Sequence, residues 1–97
     1  MDVCRVLGQA VSTAKDPGLQ ATKLLVVCAC TPDGATTGAP FVATDTVGAG
    51  EHELVLVARG SAARACARTA NVPTDASIVG ILDSVTVDGA TAYSTAT

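Results

Sequence analysis

The stretch DTVGAGEHELVLVARGSAAR, Asp45–Arg64, decides how the chain is read. Gly48-Ala49-Gly50 leads not into a helix but into ELVLVAR (Glu53–Arg59), an aliphatic and β-branched run that reads as a strand. A phosphate-binding loop needs different surroundings. A dinucleotide fingerprint sets G-x-G-x-x-G between a strand and a long helix, and a P-loop ends in Gly-Lys-Ser/Thr. Here Glu51 and Glu53 follow the glycines with no lysine beside them, so a phosphate would meet negative charge. Gly48 and Gly50 are read instead as places where backbone turns or approaches something closely.

Working outward, two more apolar runs flank this one: KLLVVCAC (Lys23–Cys30) and SIVGILDSVTV (Ser77–Val87), each expected to be a strand. VCRVLGQAVSTA (Val3–Ala14) reads as a strand bent or bulged at Gly8, and APFVATDTV (Ala39–Val47) as a shorter one. Between them, KDPGL (Lys15–Leu19) predicts a type II turn with Pro17 and Gly18 at its centre, and TPDG (Thr31–Gly34) a turn of similar logic. VDGA (Val87–Ala90) carries Asp-Gly between short strands, a two-residue hairpin signal. GATAYSTAT ends in a last strand and a frayed tail from about residue 94. One helix is expected, with Ser61 as N-cap, Ala62–Arg68 as its body, and Asn71 and Pro73 as its stop. The expectation is an all-β fold: one domain over 1–97, a small closed or nearly closed barrel of five to six strands with one short helix.

That fold leaves a surplus of apolar surface. An antiparallel sheet with one wet face alternates apolar and polar residues, but LLVVCAC and IVGIL do not. One face fills the barrel; the other has only a short helix to lie against. Exposed, it would be the contiguous patch that marks an interaction site, so copies of the same chain are expected to cover it. The core itself is thin. Of 97 residues, 48% are hydrophobic, but many are alanine, and Phe41 and Tyr93 are the only aromatics.

Charge and cysteine usage exclude further classes. Six basic against nine acidic residues give a net charge of −3, which opposes binding to nucleic acid or to an anionic membrane surface. The beginning, MDVCRVLGQAV, has an acid early and no long apolar stretch, and the reading is of a reduced, cytoplasmic chain. Cys28 and Cys30 share a strand face, but Cys4, Cys66 and His52 stand too far off in sequence to complete a zinc set, so the cysteines are read as small hydrophobes. His52 between Glu51 and Glu53 lacks a partnered nucleophile for acid–base work. Ser61 is better explained as a cap than as a nucleophile. Asp45, Asp75 and Asp83 sit beside turns, where carboxylates bind backbone amides, and form no metal set. No cofactor and no catalytic residue are expected.

Taken in order, VSTAKDPGLQATKLLVV, FVATDTVGAGEHELVLVARGSAAR and PTDASIVGILDSVTVDGATAY resemble the EutN/CcmL family of bacterial microcompartment shell proteins. The resemblance runs from Met1 to about Tyr93. It implies an OB-like barrel that assembles into pentamers at the five-fold vertices of a polyhedral shell and meets hexameric and trimeric shell proteins edge to edge, with no catalytic role. The matching positions are Lys15, Asp16 and Pro17; Lys23; Asp45; Gly48, Ala49 and Gly50; Gly60, Ser61 and Arg64; and Asp75, Gly80 and Asp83. Residues 48–50 are expected near the narrow end of a central channel. The chain departs from the family pattern at His52, where Gly is usual, at Leu54, where Trp is usual, and at Ala21, where Gly is common. The other readings kept open are a small oligomeric module for nucleic acid or peptide and an enzyme built on His52.

Overall fold

The computed structural model describes residues 1–13, 15–19, 22–65 and 74–95. Seven strands follow one another: β1 (Asp2–Ala10), β2 (Lys23–Ala29), β3 (Phe41–Asp45), β4 (Leu54–Arg59), β5 (Ala76–Ile81), β6 (Ser84–Val87) and β7 (Ala90–Ser94). The first five close into a barrel in the order β1-β2-β3-β5-β4, and β6 and β7 form a separate two-stranded sheet. Every barrel pairing is antiparallel except β3 with β5, which is parallel. The OB-like all-β barrel expected from the sequence is therefore present. The bulge foreseen at Gly8 is there too: the β1–β2 register shifts between Val6 and Gly8.

Side-chain alternation fills the barrel. Cys4 and Val6, Leu25 and Val27, Ala43, Val55 and Val57, and Ala76 and Ile78 point inward and form one cluster. β5 meets β3 through only two residue pairs, Thr44 with Ser77 and Asp45 with Ile78. Hydroxyl groups reinforce that short seam. Thr44 Oγ1 lies 2.8 Å from Ser77 Oγ, and the Thr46 hydroxyl donates to the Ile78 carbonyl at 2.6 Å. Thr44 and Ser77 are both buried, and each has a partner, as buried hydroxyls require.

Four expectations need correction. Ser77–Val87 is not one strand: Leu82 donates its N–H to the Leu54 carbonyl (2.9 Å), and the chain then leaves the barrel at Asp83 to start β6. The expected α-helix is, over its described part, a 3-10 turn at Gly60–Arg64. Its N-cap is Arg59, in extended conformation and without a side-chain cap, so Ser61 lies inside the turn and is not the cap. Tertiary contacts override helix propensity here: the Ser77 hydroxyl donates to the Ala63 carbonyl at 2.6 Å, and the Gly60 N–H donates to the Asp75 carbonyl at 2.8 Å. Cys66, Asn71 and Pro73 lie outside the described residues. Finally, Pro17–Leu19 is a short 3-10 turn, not type II; Asp16 Oδ1 accepts the Gly18 N–H at 2.8 Å, and Gly18 has no positive φ.

The outer wall is only partly bare, because residues 30–38 fold back over it. Cys28 faces outward yet is covered, its thiol pointing at the Thr37 carbonyl at 3.3 Å. Leu54, also outward, is wholly buried beneath Gly34. Part of what stays uncovered lies on β2 and β3, where half-buried Val26 pairs across the strands with Val42, itself 47% exposed, and half-buried Leu24 lies beside them.

The β6–β7 hairpin turns through Asp88 (φ +52) and Gly89 (φ +78), the two left-handed residues a type I′ turn needs, as VDGA predicted. The two strands pack on each other and scarcely touch the barrel. They extend beyond it, and the molecule measures 44 × 24 × 24 Å.

Candidate functional site

The glycine loop crosses one mouth of the barrel, from the end of β3 to the start of β4. Its amides are already occupied. Val47 and Gly48 donate their N–H groups to Asp45 Oδ1 at 3.0 and 3.1 Å, and Ala49 donates to Oδ2 at 3.0 Å. Gly50 donates to Glu53 Oε1 at 2.5 Å. A row of amides aimed at one point is what binds a phosphate elsewhere. In this loop, two of the chain's own carboxylates take those four donors. The loop's amides are satisfied within the chain and need no ligand.

Between the exposed glycines, Ala49 turns inward, is 1% exposed and joins the core cluster. It plugs the mouth. Gly48 has φ +79, a conformation that favours glycine, whereas Gly50 does not; a Cβ on Gly50 would stand 3.1 Å from Glu53 Oε1 and disturb that bond.

A second knot lies beside the loop. Arg5 Nε donates to the Gly34 carbonyl at 2.9 Å, and its Nη1 donates to the His52 carbonyl at 2.7 Å. Backbone bonds fix the same corner: His52 N–H to Val6 carbonyl at 2.7 Å, and Val6 N–H to Glu53 carbonyl at 3.0 Å. One guanidinium thus ties the 31–35 turn to the loop. Sequence reading passed over Arg5, since a lone arginine in a strand carries no pattern of its own.

His52 is held at φ +69. This is the position where the resemblance places a usual glycine, so the departure has a physical consequence: an L side chain sits in the left-handed region, at a cost of about 1 kcal/mol. His52→Gly should relieve it, less the entropy glycine adds to the unfolded chain, leaving a gain of up to about 1 kcal/mol. A rise in the urea midpoint with unchanged slope is the expected reading; a lower midpoint would show the imidazole contributing something the backbone strain does not offset. Its ring is exposed and 4.0 Å from Glu51 Oε2. Nothing in that geometry resembles a base aimed at a nucleophile.

The remaining motif residues tie backbone to backbone. Lys15 Nζ donates to the Thr22 carbonyl at 3.3 Å, and Arg64 Nη1 to the Thr74 carbonyl at 2.8 Å. Asp75 and Asp83 accept through their carbonyls, from Gly60 and from Thr95. Gly80 lies opposite Leu56 on β4, and Lys23 opens β2 with its side chain exposed. These positions are spread around the barrel and do not meet in one cleft. A groove of about 170 Å³ beside β2 and β3, lined by Leu19, Leu24, Val42 and Thr74 among others, is smaller than the several hundred Å³ of small-molecule pockets.

Among the described residues, no three His, Cys, Asp or Glu gather as metal ligands would. Burial raises the Cys4 thiol to about 11 and pushes Cys30 up as well, which makes both poor nucleophiles near neutrality.

By class, then, this is a small closed barrel whose motif residues shape its own backbone. The comparisons carry that further. The family model described as ethanolamine utilisation protein EutN/carboxysome matches residues 1–83. The carboxysome shell vertex protein CcmL of Synechocystis is 46% identical over 93 residues, covering 96% of this chain and 93% of that protein. The structure of Gloeobacter violaceus CcmL superposes with a TM-score of 0.91 at 41% identity, covering 98% of each chain. The pentameric microcompartment shell protein GrpN from Rhodospirillum rubrum gives a TM-score of 0.79 at 42% identity, covering 90% of this chain and 99% of that one. The chain belongs to the EutN/CcmL family.

Proposed function

We propose that this protein forms pentamers that occupy the five-fold vertices of a bacterial microcompartment and close its shell. It acts as a structural part, not as an enzyme. One observation carries the reading beyond family membership: among the described residues, two separate surfaces have little of the barrel packed on them. The first is the β6–β7 hairpin, which scarcely touches its own barrel. The second is the Leu24, Val26 and Val42 wall on β2 and β3. A two-stranded hairpin alone in water is marginal at best. A ring needs two different patches on every copy, one facing each neighbour, because its contacts are head-to-tail. A chain with a projecting arm and a bare apolar wall fits that requirement.

On the same reading, the ring meets hexameric and trimeric shell proteins at its rim, inside the bacterial cytoplasm, and turns Gly48 and Gly50 toward the axis. Flat six-fold layers cannot close, and a five-fold insertion supplies curvature. Native mass measurement at micromolar concentration should give five copies per particle. A folded single subunit at high dilution would end the proposal. Co-expression with a hexameric tile should turn open or tubular assemblies into closed ones, and no change in their form would remove the vertex role even from a pentamer.

A further inference from the structure

We infer that Asp45 is the positioning residue of the 46–50 loop: its carboxylate is the resident anion of an amide nest, and holding it there seats Ala49 in the barrel mouth. The loop then has its shape within the single chain, before any neighbour arrives. Three observations converge on this. Both Asp45 oxygens are used, Oδ1 by Val47 and Gly48 and Oδ2 by Ala49. Asp45 itself is fixed at the end of β3, paired to Lys23 across one side and to Ile78 across the other. And the amide it grips on Oδ2 belongs to Ala49, the residue that fills the mouth at 1% exposure.

The chemistry explains why the side chain is aspartate. Three N–H donors converge on one point, so the occupant must accept at both ends, and a charged acceptor makes stronger bonds than a neutral one. Asparagine presents one oxygen and one NH2 group. With its oxygen kept on the Val47 and Gly48 amides, it would turn a donor toward the Ala49 donor. The axial placement of Gly48 and Gly50 rests on the vertex reading above; the nest itself does not.

The test uses the full chain with Asp45→Asn and Asp45→Ala, read by amide hydrogen exchange and by native mass. Asp45→Asn should speed exchange at Ala49 on the order of 10- to 100-fold while Val47 and Gly48 change far less, as expected for loss of one charge-assisted bond. Asp45→Ala should release all three amides, and sodium formate should restore part of the protection where sodium chloride at equal ionic strength does not. Should Asp45→Ala fail to fold, the selective release at Ala49 in Asp45→Asn decides alone. Unchanged or uniform exchange of the three amides in Asp45→Asn overturns the assignment, as does formate acting no differently from chloride. Variants that lose protection as expected yet keep a five-copy mass and unchanged shell closure uphold the nest and count against the axial placement of the loop.

Discussion

Replacing Gly34 by valine is expected to lower the unfolding free energy by about 3 to 5 kcal/mol, the sum of a backbone strain and a lost anchor. Gly34 has φ +92, where a β-branched residue is strained by about 1 to 3 kcal/mol. A Cβ built there falls on Arg5 Nη2, so the guanidinium must leave. With it go the bonds to the Gly34 and His52 carbonyls, which at this partly solvated corner contribute about 2 kcal/mol together. The two effects can be separated. In an Arg5→Met background the anchor is already gone, and Gly34→Val should cost only its strain, so a double-mutant cycle should return a coupling of about 1 to 3 kcal/mol. Additive losses would show that the turn and the loop are not joined through Arg5.

The second large effect is expected at Ile78. Its side chain is fully buried in the barrel cluster, on the strand that closes the cylinder. Ile78→Ala should cost about 2 to 5 kcal/mol, the upper end applying if the rigid barrel cannot collapse onto the hole. Ile81, three residues further along β5 and partly exposed, gives the control: its truncation should cost clearly less. Denaturant titration should show the midpoint falling with the slope preserved. Equal losses at the two positions would mean that the cluster is not centred where burial places it.

Most of the barrel was legible because its signals are local. Lys23–Cys30 and Glu53–Arg59 declare strands by composition, Gly8 marks its bulge, and Asp88-Gly89 its hairpin turn. At the 60–64 turn and the β5–β6 break a long-range contact outweighed a local preference; at the 17–19 turn one local bond outweighed another. Ala62–Arg68 is good helix material, but Ser77 and Asp75, both distant in sequence, hold the described part of it as a 3-10 turn. Pro17-Gly18 suggests a type II turn, but the Asp16 carboxylate draws the Gly18 amide in. The break at Leu82 and Asp83 was foreshadowed by the polar pair Asp83-Ser84, yet the apolar residues on either side read as continuous. As for the loop, sequence could say that Asp45 sits where carboxylates bind amides. It could not show three amides converging on it, or that Ala49 points inward while both neighbouring glycines point out. Arg5 was invisible for the same reason, since its partners lie at Gly34 and His52.

The parallel pairing of β3 with β5 also bears on how a chain reaches this state. β1 through β4 can zip up by antiparallel neighbours, but the cylinder stays slit along two open ladders until Ala76–Ile81 slides between β3 and β4. Late insertion of a distant strand is slow, and until it happens two bare edges are free to capture the equivalent segment of another copy. A vessel assembled from many such chains at high local concentration must therefore win a race at every subunit: intramolecular insertion has to outrun strand exchange between siblings. The seam hydroxyls of Thr44, Thr46 and Ser77 are placed to latch that insertion once it occurs.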